Sequence, residues 1–282
     1  MLVCVILNYN DWKTVLDLVK KIEHYAILER IIIVDNKSTD DSFIQLNKIQ
    51  SDKILVIRSS RNGGYGFGNN VGIRYAQNLG ADYVLVSNPD VYFTEKSIVN
   101  CLEIIRKYDN CVACAPKEIN VYSAFKFENP LRDICFSSLI LNKALKIRKY
   151  DKSYFENRDL AKVDAISGSL VLYDLQKILE CGLYDENVFL YHEEVVIGKR
   201  FQDKGYIQLL NLKESFVHEH SVSVKKNIKS AFKMKKIVMD SHYYYLKQYC
   251  HANKFILLLQ KISRVYCYLE LFFWKKIKSL GE

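Results

Sequence analysis

The stretch that decides the fold is Leu2–Asp35, which opens with LVCVILNYN and closes with IIIVD. Its two short apolar runs, Leu2–Leu7 and Ile31–Asp35, have the length and composition of buried β-strands. Between them, Trp12–Tyr25 carries apolar residues at helical spacing, which predicts an amphipathic helix. A strand, a helix and a second strand in this order indicate parallel strands in an α/β sheet.

The same alternation continues outward from this stretch as far as residue 115. Further strands are predicted at Ile54–Arg58, Tyr83–Ser87 and Cys111–Ala115, and further helices at Ser42–Ile49, Gly68–Leu79 and Glu95–Tyr108, the last with Thr94 as its N-cap. Residues 117–162 show no clear period, and the regular pattern resumes at Ala165. We therefore expect a Rossmann-like, mostly parallel sheet flanked by helices, with ligands bound where the strands end.

The positive charge of the chain is confined to its last part. The 282 residues carry a formal net charge of +9, but Ser221–Glu282 holds 13 Lys and Arg against 3 Asp and Glu. The preceding residues have a net charge of −1. A uniformly basic nucleic-acid-binding surface is therefore not expected, and the globular composition excludes wholesale disorder.

The eight cysteines are predicted to be free thiols. Cys111 and Cys114 form a C-x-x-C, but on a regular strand this spacing points the two thiols to opposite faces of the sheet. Buried thiols are favoured over a metal or redox site, and reduced thiols fit a cytoplasmic protein. The first residues do not resemble a signal peptide, and uncharged stretches stay below the ~18 residues of a spanning helix.

Polar residues follow three of the predicted strands. Asn8 and Asn10 follow the first, Asp35 closes the second, and Asn88 and Asp90 follow the fourth. In an α/β sheet these positions share one edge. Asp35 could accept hydrogen bonds from a ribose hydroxyl or a base, and Asp90 could hold a divalent cation bound to phosphate. The alternative is that these residues only begin turns.

The run RNGGYGFGNNVG, Arg61–Gly72, is rich in glycine and leads into a helix. Glycines at such a place let backbone N–H groups approach a phosphate or a nucleotide sugar. The run is not a dinucleotide fingerprint, because Asn69 stands at the third glycine position, and it lacks the Gly-Lys-Ser/Thr of a P-loop. A plain glycine-rich turn is the alternative.

Two further groups of residues could carry chemistry. Glu193 and Glu194 are adjacent carboxylates in an apolar setting, where one pKa is raised and a general base could result. They could equally complement the dipole of a helix that begins there. His218 and His220 share one face of a strand and could ligate a metal, whereas a polar strand end is the simpler interpretation.

Taken in order, these segments resemble the family 2 glycosyltransferases of the GT-A fold, particularly their rhamnosyltransferase-like bacterial branch. The segments that carry the resemblance are VCVILNYN, IIIVDNKSTDDS, RNGGYGFGNNVGIRYA, VLVSNPDV, ISGSLVLYD, FLYHEEVVIGKRFQDKGY and VHEHSVS. They extend from Leu2 to about Ser223, with the exception of residues 117–162.

The resemblance implies a metal-dependent transfer of a sugar, with inversion, from a nucleotide diphosphate to a hydroxyl group. The donor is expected to be dTDP- or UDP-linked, the sugar rhamnose or a related one, and the acceptor a glycan or lipid-linked glycan of a bacterial surface polysaccharide. The implied GT-A domain is 1–223, with a nucleotide-sugar half at 1–116 and an acceptor and catalytic half at 163–223, followed by a helical tail at 224–282.

The resemblance also implies a role for each matching position. Glu194 corresponds to the base, with Glu193 beside it, and Asp90, His218 and His220 correspond to ligands of Mn²⁺ or Mg²⁺. The residues implied on the acceptor side are Ser167, Gly168, Ser169, Tyr191 and Arg200. The residues implied at the nucleotide sugar are Asn8, Asn10, Asp35, Asn62, Gly63, Gly64, Gly66, Asn70 and Asn88.

Two positions depart from the pattern of the family. Asn88 replaces the first acid of the Asp-x-Asp motif, and Val196 replaces an acid that often follows the Glu-Asp pair. These departures leave open a catalytically silent domain that binds a nucleotide sugar and acts as a scaffold. A nucleotide-dependent oxidoreductase is disfavoured by the incomplete glycine fingerprint.

The sequence of the tail, residues 224–282, predicts a basic amphipathic helix. Its apolar side is predicted to carry Phe255, Leu258, Leu259, Ile262, Val265, Tyr266, Leu269, Phe272, Phe273 and Ile277, with Lys254, Lys261, Arg264, Lys275 and Lys278 to one side. This pattern favours an anionic membrane surface and hence a peripheral location on the cytoplasmic face of the cell membrane. The alternative is packing against the catalytic body or against a second subunit in a homodimer.

Overall fold

The computed structural model describes residues 1–119, 121, 123–219 and 230–280, the last six of these by backbone only. The elements of the first half are β1 (Leu2–Asn8), α1 (Trp12–Ile22), β2 (Arg30–Asp35), α2 (Ser42–Asn47), β3 (Ile54–Arg58), α3 (Gly64–Asn78), β4 (Tyr83–Ser87), β5 (Val91–Tyr92), α4 (Glu95–Lys107) and β6 (Cys111–Glu118). The predicted strand and helix alternation is confirmed, as is the cap of α4, where the Thr94 side chain accepts a hydrogen bond from the Ser97 N–H.

The second half is less regular. Its elements are β7 (Ala124–Phe125), α5 (Pro130–Asp133), α6 (Leu139–Leu145), β8 (Leu160–Val163), β9 (Ala165–Ile166), β10 (Leu170–Asp174), α7 (Leu175–Glu180), α8 (Glu193–Asp203), β11 (Ile207–His218), α9 (Ala231–Gln248) and α10 (Lys254–Leu280). Residues 134–137 and 152–154 form short 3₁₀ turns.

The central sheet is mostly parallel in its first half and mixed in its second. The strand order is β3-β2-β1-β4-β10-β6-β11-β5, with β8 also paired to β11. The strands β3, β2, β1 and β4 are parallel to one another, while β10 runs antiparallel between β4 and β6. The carboxyl ends of β1, β2 and β4 therefore lie side by side, as the sequence predicts.

Helices cover both faces of this sheet. Apolar residues of α1 and α4, including Leu18 and Ile98, pack on one face, and those of α3 and α8, including Ile73 and Phe201, pack on the other. The glycines of α3 allow its close approach, since a Cβ atom at Gly72 would lie 2.4 Å from Val5 Cγ1. Helix α3 begins at Gly64, four residues before the predicted start at Gly68.

The prediction for the C-x-x-C is wrong in one respect. Cys111 and Cys114 belong to the same core layer, because the pairing of β6 with β11 shifts register between Ile207 and Gln208 and breaks the alternation at Val112. The eight cysteines are all free, as predicted, and burial raises the pKa of the Cys111 thiol to about 12.

The segment at 117–162 and helix α9 are joined by a buried polar cluster. Arg148 binds Asp133 through two hydrogen bonds of 2.8 and 2.6 Å, and His242 Nε2 of α9 lies 3.3 Å from the same carboxylate. Burial alone would raise the pKa of Asp133, but the Arg148 guanidinium and the His242 hydrogen bond hold it below its usual range. Helix α9 is thereby fixed to the body, while the proposed division into a domain and a tail remains a prediction.

Helix α10 does not pack its apolar side on the body. The side chains that it buries include Gln260, Cys267 and Glu270, whereas Leu258, Ile262 and Leu269 are more than half exposed. In the described residues, the alternative of packing against the catalytic body is therefore met in part, since α10 contacts the body through its polar side and not through its apolar side.

Within the described ranges, the helices are too short or too polar to qualify as membrane-spanning segments.

Candidate active site

A cavity of about 590 Å³ opens where β1 and β4 end. Its walls come from the loop after β1, the start of α3, the turn after β4, the β9–β10 turn, the start of α8 and the N-terminal part of α9. This volume is in the range of small-ligand sites. Most of the residues predicted as a site therefore converge on one cavity, although not all of them face it.

Asn8 and Asp35 support the floor of the site from inside the sheet. Both are fully buried, and Asn8 Nδ2 donates to Asp35 Oδ1 at 3.0 Å. Asp35 Oδ2 also accepts from the Ser38 N–H and lies 3.2 Å from Arg58 Nε. The backbone N–H of Asn10 donates to Ser38 Oγ, so the three predicted residues form one cluster.

The cavity wall at this end is formed by neighbouring residues that the sequence did not single out. Tyr9 and Asn36 line the cavity. Asn36 Nδ2 donates to Asn62 Oδ1 at 3.2 Å and to the Gly64 carbonyl at 3.0 Å. Tyr9 follows Asn8 in the sequence, and Asn36 follows Asp35. The predicted residues Asn8 and Asp35 are themselves fully buried and do not line the cavity.

The glycine-rich run is divided between the cavity and the packing of α3. Asn62 and Gly64 line the cavity. Gly64 has φ +91°, and a Cβ there would lie 1.9 Å from the Phe189 carbonyl oxygen. Only glycine satisfies both conditions at this close approach.

The remaining predicted members of the run lie outside the cavity wall. A Cβ at Gly63 would meet the Phe67 ring, and one at Gly66 would lie 2.9 Å from Tyr184 Cβ. Asn70 is buried and exchanges hydrogen bonds with the backbone of Tyr184, at 2.9 and 3.1 Å. Direct contact of Gly66 and Asn70 with a nucleotide sugar is thus not supported, because these positions join α3 to the 184–186 loop.

Asp90 and His218 meet at the edge of the cavity. The antiparallel pairing of β5 with β11 sets His218 opposite Val91, and His218 Nε2 lies 3.2 Å from Asp90 Oδ1. Asn88 also lines the cavity, and its N–H donates to the Ser169 carbonyl. Glu118, which the sequence did not single out, has Oε2 4.0 Å from His218 Nδ1.

These donors fit a divalent cation that shares its coordination with a substrate. The carboxylate of Asp90 suits Mn²⁺ or Mg²⁺, and an imidazole is an acceptable additional ligand. In the part of the chain that the structure describes, three or more His, Cys, Asp or Glu side chains do not cluster as a ligand set. The other predicted ligand, His220, lies outside the described residues.

The carboxylate pair stands on a tight turn at the start of α8. Tyr191 and His192 have φ of +66° and +72°, which is uncommon for residues with side chains and marks a constrained backbone. Glu193 and Glu194 follow as the first helical residues, and both line the cavity. Glu194 Oε1 accepts a 3.4 Å hydrogen bond from the Gly168 N–H.

Burial raises the pKa of both carboxyl groups. The effect is larger for Glu193, whose pKa is raised first by burial and then by the neighbouring Glu194. Burial also raises the pKa of Glu194, which suits a general base that works near neutral pH. Among the described residues, Glu193 Oε2 has no hydrogen-bond partner.

Four of the five residues predicted on the acceptor side line the cavity, and their role toward an acceptor stays a prediction. Ser167, Gly168, Ser169 and Tyr191 line the cavity, and the Tyr65 hydroxyl donates to the Gly168 carbonyl.

Arg200 lies elsewhere. Its guanidinium donates to the carbonyls of Gly182 and Leu183 and to the Tyr249 hydroxyl, and it lies 3.3 Å from Asp185. These bonds tie Arg200 to the start of the loop between α7 and α8 and to the residue after α9, so its predicted contact with the acceptor is not supported.

Comparison with known proteins assigns the family. Residues 3–161 match the family described as "Glycosyl transferase family 2", which is more than half of the chain. The chain belongs to glycosyltransferase family 2. A curated relative, the "Low-salt glycan biosynthesis hexosyltransferase Agl10" of Haloferax volcanii, is 29% identical over 193 residues, or 68% of this chain. The chain spans 58% of the length of that relative.

Solved structures show that this family 2 member has the GT-A fold. GalNAc-T7, solved with UDP, GalNAc and Mn²⁺, superimposes with a TM-score of 0.62 at 14% identity, over 87% of this chain and 49% of that one. The mannosyltransferase PcManGT of Pyrobaculum calidifontis, in complex with GDP-Man and Mn²⁺, gives 0.55 at 14% identity, over 93% and 73%.

Helix α9 adds residues to the site that lie outside the sequence motifs described above. Lys233 and Ile237 line the cavity, together with Phe189 and Leu190 of the loop that precedes α8. The helix is held there by Ser241 Oγ, which donates to the Leu190 carbonyl at 2.9 Å. Ser230 and the helical spacing after it could have predicted the helix, since Ser230 accepts from the Lys233 N–H as an N-cap, but not its position over the cavity.

Proposed function

We propose that this family 2 member transfers a sugar from a nucleotide diphosphate to an acceptor hydroxyl, with inversion at the anomeric carbon. The observation that carries the proposal is the meeting of two sets of groups in one cavity. Glu194 supplies a half-buried carboxylate of raised pKa, and Asp90 with His218 supplies donors for a divalent cation. A single displacement needs one base and a stabilised leaving group, and these residues can provide both.

In the proposed step, the ionised carboxylate of Glu194 accepts the proton of the acceptor hydroxyl. The hydroxyl oxygen forms a bond to the anomeric carbon, while the bond from that carbon to the phosphate oxygen breaks. The nucleoside diphosphate leaves with the bonding electron pair. The Gly168 N–H holds Glu194 Oε1 at 3.4 Å and orients the carboxylate before the acceptor binds.

Asp90 and His218 would hold Mn²⁺ or Mg²⁺, with Asn88 beside them as a neutral oxygen or amide group. The cation, when bound, supplies positive charge that neutralises the departing diphosphate. Lys233 of α9 also lines the cavity, and its cationic side chain can pair with a phosphate oxygen of the diphosphate.

For the sugar and the acceptor, the proposal is a hexose or deoxyhexose such as rhamnose, and a hydroxyl of a glycan or lipid-linked glycan in bacterial surface polysaccharide synthesis. The name of the curated relative, a hexosyltransferase of glycan biosynthesis, supports the hexose class. The neighbours with UDP and GDP-Man support a nucleotide-linked donor, for which dTDP and UDP are our first choices.

A second candidate is a silent domain that binds a nucleotide sugar without turnover. It is favoured by Asn88, which contributes less charge than an aspartate, and by Val196, which is buried in a small apolar cluster and offers no acceptor contact.

A donor panel separates the two candidates. Purified protein is incubated with UDP-, dTDP- and GDP-sugars and Mn²⁺ or Mg²⁺, with and without lipid-linked glycan acceptors, and nucleotide release and donor binding are both measured. Acceptor-dependent release with one donor supports the enzyme. Binding of a donor without release under all acceptors supports the silent domain, and absence of binding with every donor contradicts both.

A further inference from the structure

Helix α10 has the reverse of the usual arrangement of a surface helix. Apart from Cys267, the side chains that residues 254–274 of this helix fully bury are polar, and many of its apolar side chains are exposed. The exposed set, here the outer stripe, consists of Leu258, Ile262, Val265, Leu269, Phe272 and Phe273, whose exposed fractions lie between 51% and 60%. A helix that merely covers the body would turn this side inward.

Specific hydrogen bonds hold the helix in this orientation. Glu270, 6% exposed, accepts from Ser138 Oγ at 2.7 Å and from the Leu139 N–H at 2.6 Å. Arg264 pairs with Asp240 of α9 at 2.6 Å, and Gln260 is fully buried against α9. The polar side is therefore committed to the protein, and the outer stripe, about 22 Å long at 1.5 Å per residue, remains turned outward.

The charges around the outer stripe are of one sign. Lys254 and Lys261 are exposed beside it, and Lys275 and Lys276 follow it in the sequence. The helix contains one carboxylate, Glu270, and that group points inward to Ser138. Among the residues described with side chains, the exposed side of α10 thus offers apolar side chains with flanking cations, and the neighbouring carboxylate of Asp240 on α9 is already paired with Lys236 and Arg264.

We propose that the outer stripe binds the surface of an anionic phospholipid bilayer, with α10 parallel to the membrane plane. Apolar side chains enter the acyl boundary while lysines reach the headgroup phosphates, which is the arrangement of interfacial amphipathic helices. This proposal is independent of the reaction, and it places the chain peripherally on a membrane face rich in anionic lipid.

A second copy of the chain is a poorer partner for the same surface. Two outer stripes packed face to face would bring the flanking lysines of both copies together. The one carboxylate of each helix is buried within its own chain and could not neutralise them. An anionic bilayer supplies that neutralising charge, so charge complementarity favours lipid over self-association.

Helix α9 contacts both the candidate active site and the helix that is proposed to bind the bilayer. Helix α9 contributes Lys233 and Ile237 to the cavity and contacts α10 through Asp240 and Met239. Binding through the outer stripe would therefore hold the cavity of the same chain next to lipid-linked substrates.

The test is vesicle flotation of the full chain with phosphatidylcholine vesicles that contain or lack phosphatidylglycerol. The variant is Ile262→Gln/Leu269→Gln/Phe272→Gln, and the matched control is Ile44→Gln on α2, where Ile44 is 64% exposed. We expect wild type and control to float with phosphatidylglycerol vesicles and the triple variant to bind at least roughly tenfold more weakly. Weaker binding of wild type to pure phosphatidylcholine is also expected.

Three outcomes would overturn the proposal: wild type that does not float, a folded triple variant that floats like wild type, or a wild-type dimer that the triple variant converts to monomer without any vesicle binding. Circular dichroism checks the fold of each variant. Should the triple variant not fold, Lys254→Gln/Lys261→Gln provides the test, because it changes only exposed side chains. Its binding to phosphatidylglycerol vesicles must fall, and unchanged binding contradicts the proposal.

Discussion

At the scale of single residues, the contact between Asp90 and His218 is the most specific feature of the site, because the two residues are distant in sequence and are brought together by the pairing of β5 with β11. His218 Nε2 lies 3.2 Å from Asp90 Oδ1, at the edge of the cavity. Both residues are predicted metal ligands, and the structure places their side chains next to each other, although the metal role itself stays a proposal. Glu118 near His218 could not be predicted, because it is brought there by the parallel pairing of β6 with β11.

Substitution of Asp90 tests the metal role. Asp90→Ala should raise the Mn²⁺ concentration for half-maximal transfer by about 10- to 100-fold, since it removes a charged oxygen ligand. The measurement is transfer rate against Mn²⁺ concentration. Asp109→Ala, at an exposed site after α4, is the control and should behave as wild type. An unchanged metal requirement in Asp90→Ala would rule out the assignment.

The raised pKa of Glu194 predicts a pH dependence. A general base acts only when ionised, so kcat/KM should rise with pH through the pKa of Glu194 and be lost as pH falls below it. Burial raises that pKa above the usual 4.5, and the midpoint of the acid limb should therefore lie above 4.5. A pH–rate profile measures it, and an acid limb centred at or below 4.5 would contradict the environment described for Glu194.

At the scale of elements, local patterns predicted those parts whose partners are near in sequence. The strands β1–β4 and the Thr94 cap of α4 follow from apolar runs and from one side chain that bonds three residues ahead. The structure of the segment at 117–162 could not be predicted in this way. Its residues Arg148 and Asp133 bond to each other, and Asp133 also bonds to His242, which is 109 residues away in the sequence. Such long-range polar pairing leaves no periodic trace.

The glycine-rich run illustrates the same limit. Its composition predicted a phosphate-binding turn, yet several of its glycines serve the close packing of α3. Gly64 is the position where backbone conformation and approach to Phe189 coincide.

Gly64→Ala should destabilise the protein by more than about 2 kcal/mol, because strain at φ +91° adds to a clash with the Phe189 carbonyl. Gly80→Ala is the matched control, with φ +79° but no heavy atom within 4 Å of the added Cβ. It should cost only about 1–2 kcal/mol. Urea unfolding gives both values. Equal losses in the two variants would show that the close approach to Phe189 does not matter.

At the scale of the whole molecule, the charge asymmetry of the sequence corresponds to a difference in position. A body of net charge −1 holds the carboxylates of the site, and the described residues of the basic last part include helices α9 and α10. The sequence pattern predicted this last part as a single helical tail. In the structure, α9 lines the cavity and α10 exposes its apolar side. Helical spacing predicts that a helix has an apolar side, and only the fold decides which way that side faces.

The central claim is that one cavity binds the nucleotide sugar while Glu194 accepts the acceptor proton. The most direct test compares wild type and Glu194→Gln, which keeps the shape of the side chain and removes its basicity. Donor affinity is measured by calorimetry, and transfer is measured with the donor identified in the panel. We predict a Kd for the donor within about threefold of wild type and a transfer rate lowered by at least about 100-fold. Full transfer activity in Glu194→Gln would contradict the account.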